Sequence, residues 1–302
     1  MTLRLGTRGS ALALAQSRAI AQRLGADVVV IESDGDRMPG SLASLGGTGV
    51  FATALRTALR AGEVDVVVHS FKDLPTAAEP GLAIAAVPER ADVRDAFVGR
   101  DGASLAELAP RARVGTGSPR RRAQLLARRP DLDVVDLRGN VDTRLSRVST
   151  DDPERRLDGV VLAAAGLHRL GRLGEASELF GADHWPPAPA QGALAVETRA
   201  GETAAAHALD DPVARVTADA ERRLLALLEA GCAAPVGAHA IVAGDDLVLS
   251  ARVYALDGSA VVSATATVPV VGADAAERVA AAVVADLLAQ GAADLAPLGG
   301  GA

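Results

Sequence analysis

Short apolar, β-branched runs alternate along the chain with Ala/Leu-rich stretches at helical spacing. Val28–Ile31 predicts a strand, Val50 to Ala61 a helix, and Val64–Val68 a second strand. Continuous apolar runs suit strands covered on both faces, whereas apolar positions three and four apart suit helices packed on a sheet. The alternation continues with strands at Arg113–Gly115, Val134–Leu137 and Val160–Leu162, separated by helices that start after Ser118 and after Asn140. Strand, helix, strand in this order requires crossover connections and hence parallel pairing.

The pattern breaks at 181–189, GADHWPPAP, where three prolines can continue neither a helix nor a central strand. This stretch reads as a crossing between domains. Beyond it come a helix from Val213 to Ala230, strands at Ala238–Val242, Leu247–Tyr254 and Ala260–Val268, and a closing helix from Asp274 to Leu288. The tail therefore reads as a small α/β unit of its own.

A chain of 302 residues with 49% hydrophobic and 23% charged residues is long enough for two or three cores. Aromatic residues make up only 2%, which leaves few rings for stacking on bases. The N-terminal MTLRLGTRGSALALAQ is interrupted by Arg4 and Arg8, so no signal-peptide core or membrane span is present and a cytoplasmic protein is expected. One cysteine, Cys232, permits no internal disulfide, and the five histidines show no metal-ligand spacing, so no metal is expected.

The formal charge is −7, yet seven Arg and no acid lie between Arg111 and Pro130. The stretch VGTGSPRRRAQLLARR has Ser118 as an N-cap and Pro119 at the first helical position, which sets Arg120 and Arg121 at a helix N-terminus. Cations there oppose the helix dipole unless an anion is held nearby. Arg138, Arg144 and Arg169 follow at comparable strand-to-helix junctions, where open α/β sheets bind ligands. A solvated basic face is the bland alternative. Nucleic acid is disfavoured by the negative net charge and the absence of a groove-reading motif. A P-loop is excluded because no Gly-Lys-Ser/Thr ending follows the glycines.

Two further junctions stand out. VDVVVHSFKDLPT runs a buried strand directly into His69, Ser70, Lys72 and Asp73, and Lys72 is the only Lys among 31 basic residues. LGTRGSALALAQS puts Arg8 and Ser10 at an equivalent edge. A surface ion pair at Lys72–Asp73 and chance survival of one Lys remain the bland readings. In LLEAGCAAPVGAHA, Cys232 sits in a loop just after a helix expected to end at Gly231, either as inert packing or as a reactive thiol. His69 and His239 read as structural or supporting residues.

Together the stretches LRLGTRGSALALAQ, VHSFKDLPT, VGTGSPRR, LRGNVDTRL, PAPAQGALAVE and LEAGCAAPVGAHA, in this order over residues 3–240, resemble the hydroxymethylbilane synthase (porphobilinogen deaminase) family. The resemblance implies two parallel-sheet-based α/β domains around a cleft, similar to type II periplasmic binding proteins, plus a small C-terminal α/β domain. The expected divisions are 1–90 with 189–208, 91–188, and 209–302. It implies a monomeric transferase with porphobilinogen as substrate and neither nucleic acid nor membrane as partner. Four porphobilinogen units would be joined, with loss of ammonia, on a dipyrromethane cofactor attached by a thioether to Cys232.

By motif position the resemblance makes Asp73 and Lys72 catalytic. Arg8, Ser10, Gln16, Ser70, Thr116, Ser118, Arg120, Arg121, Arg138, Arg144 and Arg169 would bind the carboxylate-bearing pyrroles. Residues 32–49 would form a mobile flap. Phe71, Gly117 and Pro119 depart from the commonest family pattern, and Gly117 removes one hydroxyl. Two rival readings are a non-catalytic anion-binding protein, which normally carries an export signal, and a cysteine-dependent hydrolase, for which no persuasive triad is visible.

Overall fold

The computed structural model describes residues 2–32, 50–230, 234–296 and 298. The expected flap, from residue 33 onward, and Cys232 lie outside the described residues. The chain divides into two compact units, Met1–Ala91 with Gly192–Val216, and Asp92–Gln191 with Thr217–Ala302.

The first unit contains β1 (Arg4–Thr7), α1 (Ala11–Leu24), β2 (Asp27–Val30), α2 (Val50–Arg60), β3 (Val66–Ser70) and β4 (Leu82–Ala86). Later in the chain, β10 (Leu194–Arg199) joins this sheet, followed by the short α6 (Ala204–His207). The strand order is β2-β1-β3-β10-β4. β1 pairs in parallel with β2 and β3, whereas β10 runs antiparallel to β3 and β4. β3 alternates between two covering layers: Val66 and Val68 pack with Leu5, Ile20 and Ala21, and Val67 packs with Leu55, Ala58 and Leu59. Full burial of such a side chain stabilises the fold by about 1.5–3 kcal/mol. Gly25, at φ 61°, ends α1 in the left-handed region that a Cβ disfavours.

At the amino end of β1 and β3, Asp65 pairs with Arg4 Nη2 at 2.9 Å and Arg199 Nη2 at 3.4 Å. The Arg4 hydrogen bond is the main cause that holds the Asp65 carboxyl at about 2 instead of 3.8. Because the folded-state value is depressed, this stabilisation is complete above about pH 4 and is lost as pH falls from about 4 to 2. Thermal melts of Asp65→Asn are therefore expected to lie below wild type near neutrality and to converge with it at about pH 2.

The second unit contains β5 (Asp95–Gly99), β6 (Arg113–Gly115), α3 (Pro119–Arg128), β7 (Asp133–Val135), α4 (Val141–Ser149), β8 (Gly159–Ala163), α5 (Ala164–Arg169) and β9 (Glu178–Leu179). Its order is β7-β6-β8-β5-β9, with β6, β7 and β8 parallel and β5 antiparallel to both its neighbours. A separate antiparallel sheet follows, formed by β11 (Val236–Ala243), β12 (Asp246–Tyr254) and β13 (Val261–Pro269). The helix α8 (Ala275–Ala289) buries Val279, Ala280, Val283, Val284 and Leu287, and the short α9 (Ala292–Leu295) follows it.

Each large sheet is thus a parallel trio extended by antiparallel strands that the sequence pattern does not predict. β4, β5, β9 and β10 are two to six residues long. Their partners are remote in sequence, and β5 is buried at every position, so no alternation marks it. The proline run expected to cross between domains instead lies within the second unit, where Trp185 stacks on Phe180 with ring centroids 4.3 Å apart. The units divide between Gln191 and Gly192. The helix α7 (Pro212–Leu227) stops before the expected Gly231, and Glu229 then takes φ 48°.

Candidate functional site

In the first unit the sequence-selected residues share the carboxyl edge of the parallel strands. Arg8 and Ser10 follow β1, while Ser70 ends β3 and leads into a short 3-10 turn, Phe71–Asp73. Ser10 caps α1 by accepting from the Ala13 N–H at 3.3 Å. Gln16 reaches from α1 and donates from Nε2 to Ser70 Oγ at 3.1 Å. Phe71 is buried and donates its N–H to Ala193 O at 3.1 Å, which leaves Lys72 half-buried and Asp73 exposed at the rim.

In the second unit the equivalent edge belongs to β6, β7 and β8. Thr116 follows β6 and accepts at Oγ1 from the Ser118 N–H, and Ser118 caps α3 by accepting from the Arg121 N–H. Arg138 follows β7, exposed, with Nε 3.0 Å from Asp136 Oδ2. Arg144 donates from Nε to Gly139 O at 2.9 Å. Arg169 ends α5, which follows β8, and burial pulls its guanidinium below the usual value. A Cβ at Gly117 would lie 2.7 Å from Leu137 O, so the missing hydroxyl at this position accompanies a close backbone approach.

Arg120 and Arg121 are both buried, at 3% and 5% exposure, and both pair with Asp95, which is fully buried. Asp95 Oδ2 accepts from Arg120 Nη1 at 2.9 Å and Trp185 Nε1 at 2.8 Å, and Oδ1 accepts from Arg121 Nη2 and Gln191 Nε2 at 2.7 Å each. The anion demanded by cations at this helix N-terminus is therefore internal. Burial pushes the Asp95 carboxyl upward, but the charges of Arg120 and Arg121 and their hydrogen bonds outweigh it and hold it far below the carboxylate range. Burial also pulls Arg120 downward. One carboxylate against two guanidiniums leaves a surplus positive charge, and both Nε atoms are buried without an acceptor.

A second buried network lies in the first unit. Glu197 on β10 is 1% exposed and meets Arg56 Nη2 at 2.9 Å and His69 Nε2 at 3.0 Å. Burial raises its carboxyl, but the hydrogen bonds and charges of His69 and Arg56 bring it below the usual value. Asp95 and Glu197 were legible only as acids inside apolar runs, DAFVG and LAVETR. His239 lines a depression of about 210 Å³ on the C-terminal sheet with Ser250, Arg252 and Thr265.

Parallel-strand carboxyl edges, one with a Lys–Asp turn and the other lined by arginines over a positively biased core, define an α/β protein suited to an anionic ligand. A family model described as porphobilinogen deaminase, dipyromethane cofactor binding domain, matches residues 3–207, and one described as porphobilinogen deaminase, C-terminal domain, matches 215–289. The chain belongs to the porphobilinogen deaminase family.

It is 56% identical to a porphobilinogen deaminase of Leifsonia xyli subsp. xyli, covering 99% of this chain and 95% of the relative. It is 51% identical to that of Thermobifida fusca, covering 96% and 94%. Among solved structures, an arginine third transport system periplasmic binding protein of Legionella pneumophila is 14% identical, with TM-score 0.36, over 69% of this chain and 91% of that one. The surplus charge around Asp95 and the arginines at the ends of β7 and α5 fit a group rich in carboxylates. Among the described residues no helix is long and apolar enough to cross a membrane.

Proposed function

We propose that the chain is a hydroxymethylbilane synthase, monomeric and cytoplasmic, which joins four porphobilinogen molecules head to tail with release of ammonia to give hydroxymethylbilane. The observation that carries this reading is the pair of family matches over residues 3–207 and 215–289. A dipyrromethane group, joined by a thioether to Cys232, supplies the free pyrrole α-carbon from which the product grows. Neither nucleic acid nor membrane takes part.

Asp73, exposed at the end of the β3 turn, presents a fixed negative charge to the pyrrole nitrogens as positive charge develops on them. Its carboxylate also takes up and returns a proton. Lys72 beside it offers a point charge to a substrate carboxylate. Arg8, Arg138, Arg144 and Arg169 pair with acetate and propionate groups, for which the planar guanidinium is suited to two parallel hydrogen bonds. Arg120 and Arg121 contribute through the surplus charge of the Asp95 cluster. Ser10, Gln16, Ser70, Thr116 and Ser118 hold the strand-end loops in shape through the caps and side-chain bonds described above, and offer hydrogen bonds to the same carboxylates.

The test is the intact mass of the purified, acid-denatured protein. A mass above that of the bare chain by two pyrrole units is expected, together with its loss in Cys232→Ala. A bare-chain mass that added porphobilinogen leaves unchanged overturns the reading.

A further inference from the structure

We infer that His69 is a positioning residue for the Asp73 turn, acting through the buried Glu197–Arg56 pair. The inference rests on the assignment of Asp73 made above. Asp73 lies on an exposed 3-10 turn that starts directly after β3, so its placement is inherited from the end of that strand. That end is held on both faces. On the α1 face, Ser70 is bonded to Gln16 at 3.1 Å.

On the α2 face, His69 stands opposite Ala195 in the ladder, which puts it diagonally beside Glu197, two residues further along β10. His69 Nε2 lies 3.0 Å from Glu197 Oε2. Arg56, in α2, bonds both oxygens of Glu197 at 2.9–3.2 Å and extends its other nitrogen to Glu79 at 2.8 Å.

The apolar cluster that includes Val67 on the same face of β3 contains Leu55, Leu59, Val64 and Leu82. A leucine at position 69 would satisfy the packing of such a layer. A hydrogen-bonded trio adds direction, since hydrogen bonds fix the angle at which a strand end leaves the sheet and apolar contact does not. The Phe71 N–H to Ala193 O bond at 3.1 Å carries that angle one residue into the turn.

The experiment compares wild type, His69→Leu and His69→Gln, each with its cofactor content verified by mass. Glutamine places an amide N–H near the position of Nε2. His69→Leu is expected to fold, to keep KM for porphobilinogen within about threefold, and to lose about 10- to 100-fold in kcat, as for a displaced catalytic group. His69→Gln is expected to recover most of that loss. Hydrogen exchange in His69→Leu should rise at Phe71 and Leu74 and stay at the wild-type level in the rest of the first unit.

Unchanged kcat in His69→Leu, no recovery in His69→Gln, or exchange raised throughout the unit overturns the inference. Absence of ammonia release by loaded wild type would instead overturn the assigned reaction.

Discussion

Asp73→Asn is expected to fold with an unchanged melting temperature and to turn over porphobilinogen at least about 100-fold more slowly than wild type. The substitution keeps the shape of the side chain and removes its charge. Asp73 is exposed, on a turn anchored by the burial of Phe71 and the bond from Phe71 N–H to Ala193 O, so the charge contributes little to folding. In the proposed reaction the same charge would face pyrrole nitrogens that become cationic, where an amide could neither stabilise that charge nor hold the proton. Ammonia release under saturating substrate, with a parallel thermal melt, checks it. Near-normal turnover removes Asp73 from its role.

For Asp95→Asn the expected loss is in stability, about 3–5 kcal/mol, because two buried guanidiniums are left without a counter-charge. Asparagine retains one carbonyl acceptor where the carboxylate received four donors, from Arg120, Arg121, Trp185 and Gln191. Trp185 is the only tryptophan in the chain, so its fluorescence during urea unfolding reports on this cluster directly. The depressed Asp95 value sets the sign of the pH dependence. The stabilisation is complete above the ordinary carboxylate range and is lost progressively as pH falls below it toward the much lower folded-state value. A loss below about 1 kcal/mol would show that the cluster is not a main support of the second unit.

Local pattern was sufficient where an element is defined by its own residues. The strand Arg113–Gly115 and the helix starts after Ser118 and Asn140 were legible because caps and apolar periodicity are local properties. The carboxyl-edge positions of Ser70, Lys72, Asp73 and Arg138 followed from strand ends in the same way. The antiparallel β5 and β10 were not legible, since pairing direction depends on neighbours more than 50 residues away in sequence for β5 and more than 100 for β10.

The sequence by itself determined the α/β class, the family, and which polar side chains stand at strand ends. Each is carried by residue type and spacing along the chain. Only the tertiary structure decided which charges are already matched. Arg120 and Arg121 read from sequence as cations at a helix N-terminus, and only the fold shows that Asp95, 25 and 26 residues away, is their buried partner. His69 read from sequence as a structural or supporting residue, and only the fold shows that Glu197 and Arg56 meet from two other elements, with His69 on Glu197. Electrostatic pairing depends on distance in space and on exclusion of water, and neither is encoded in the local order of residues.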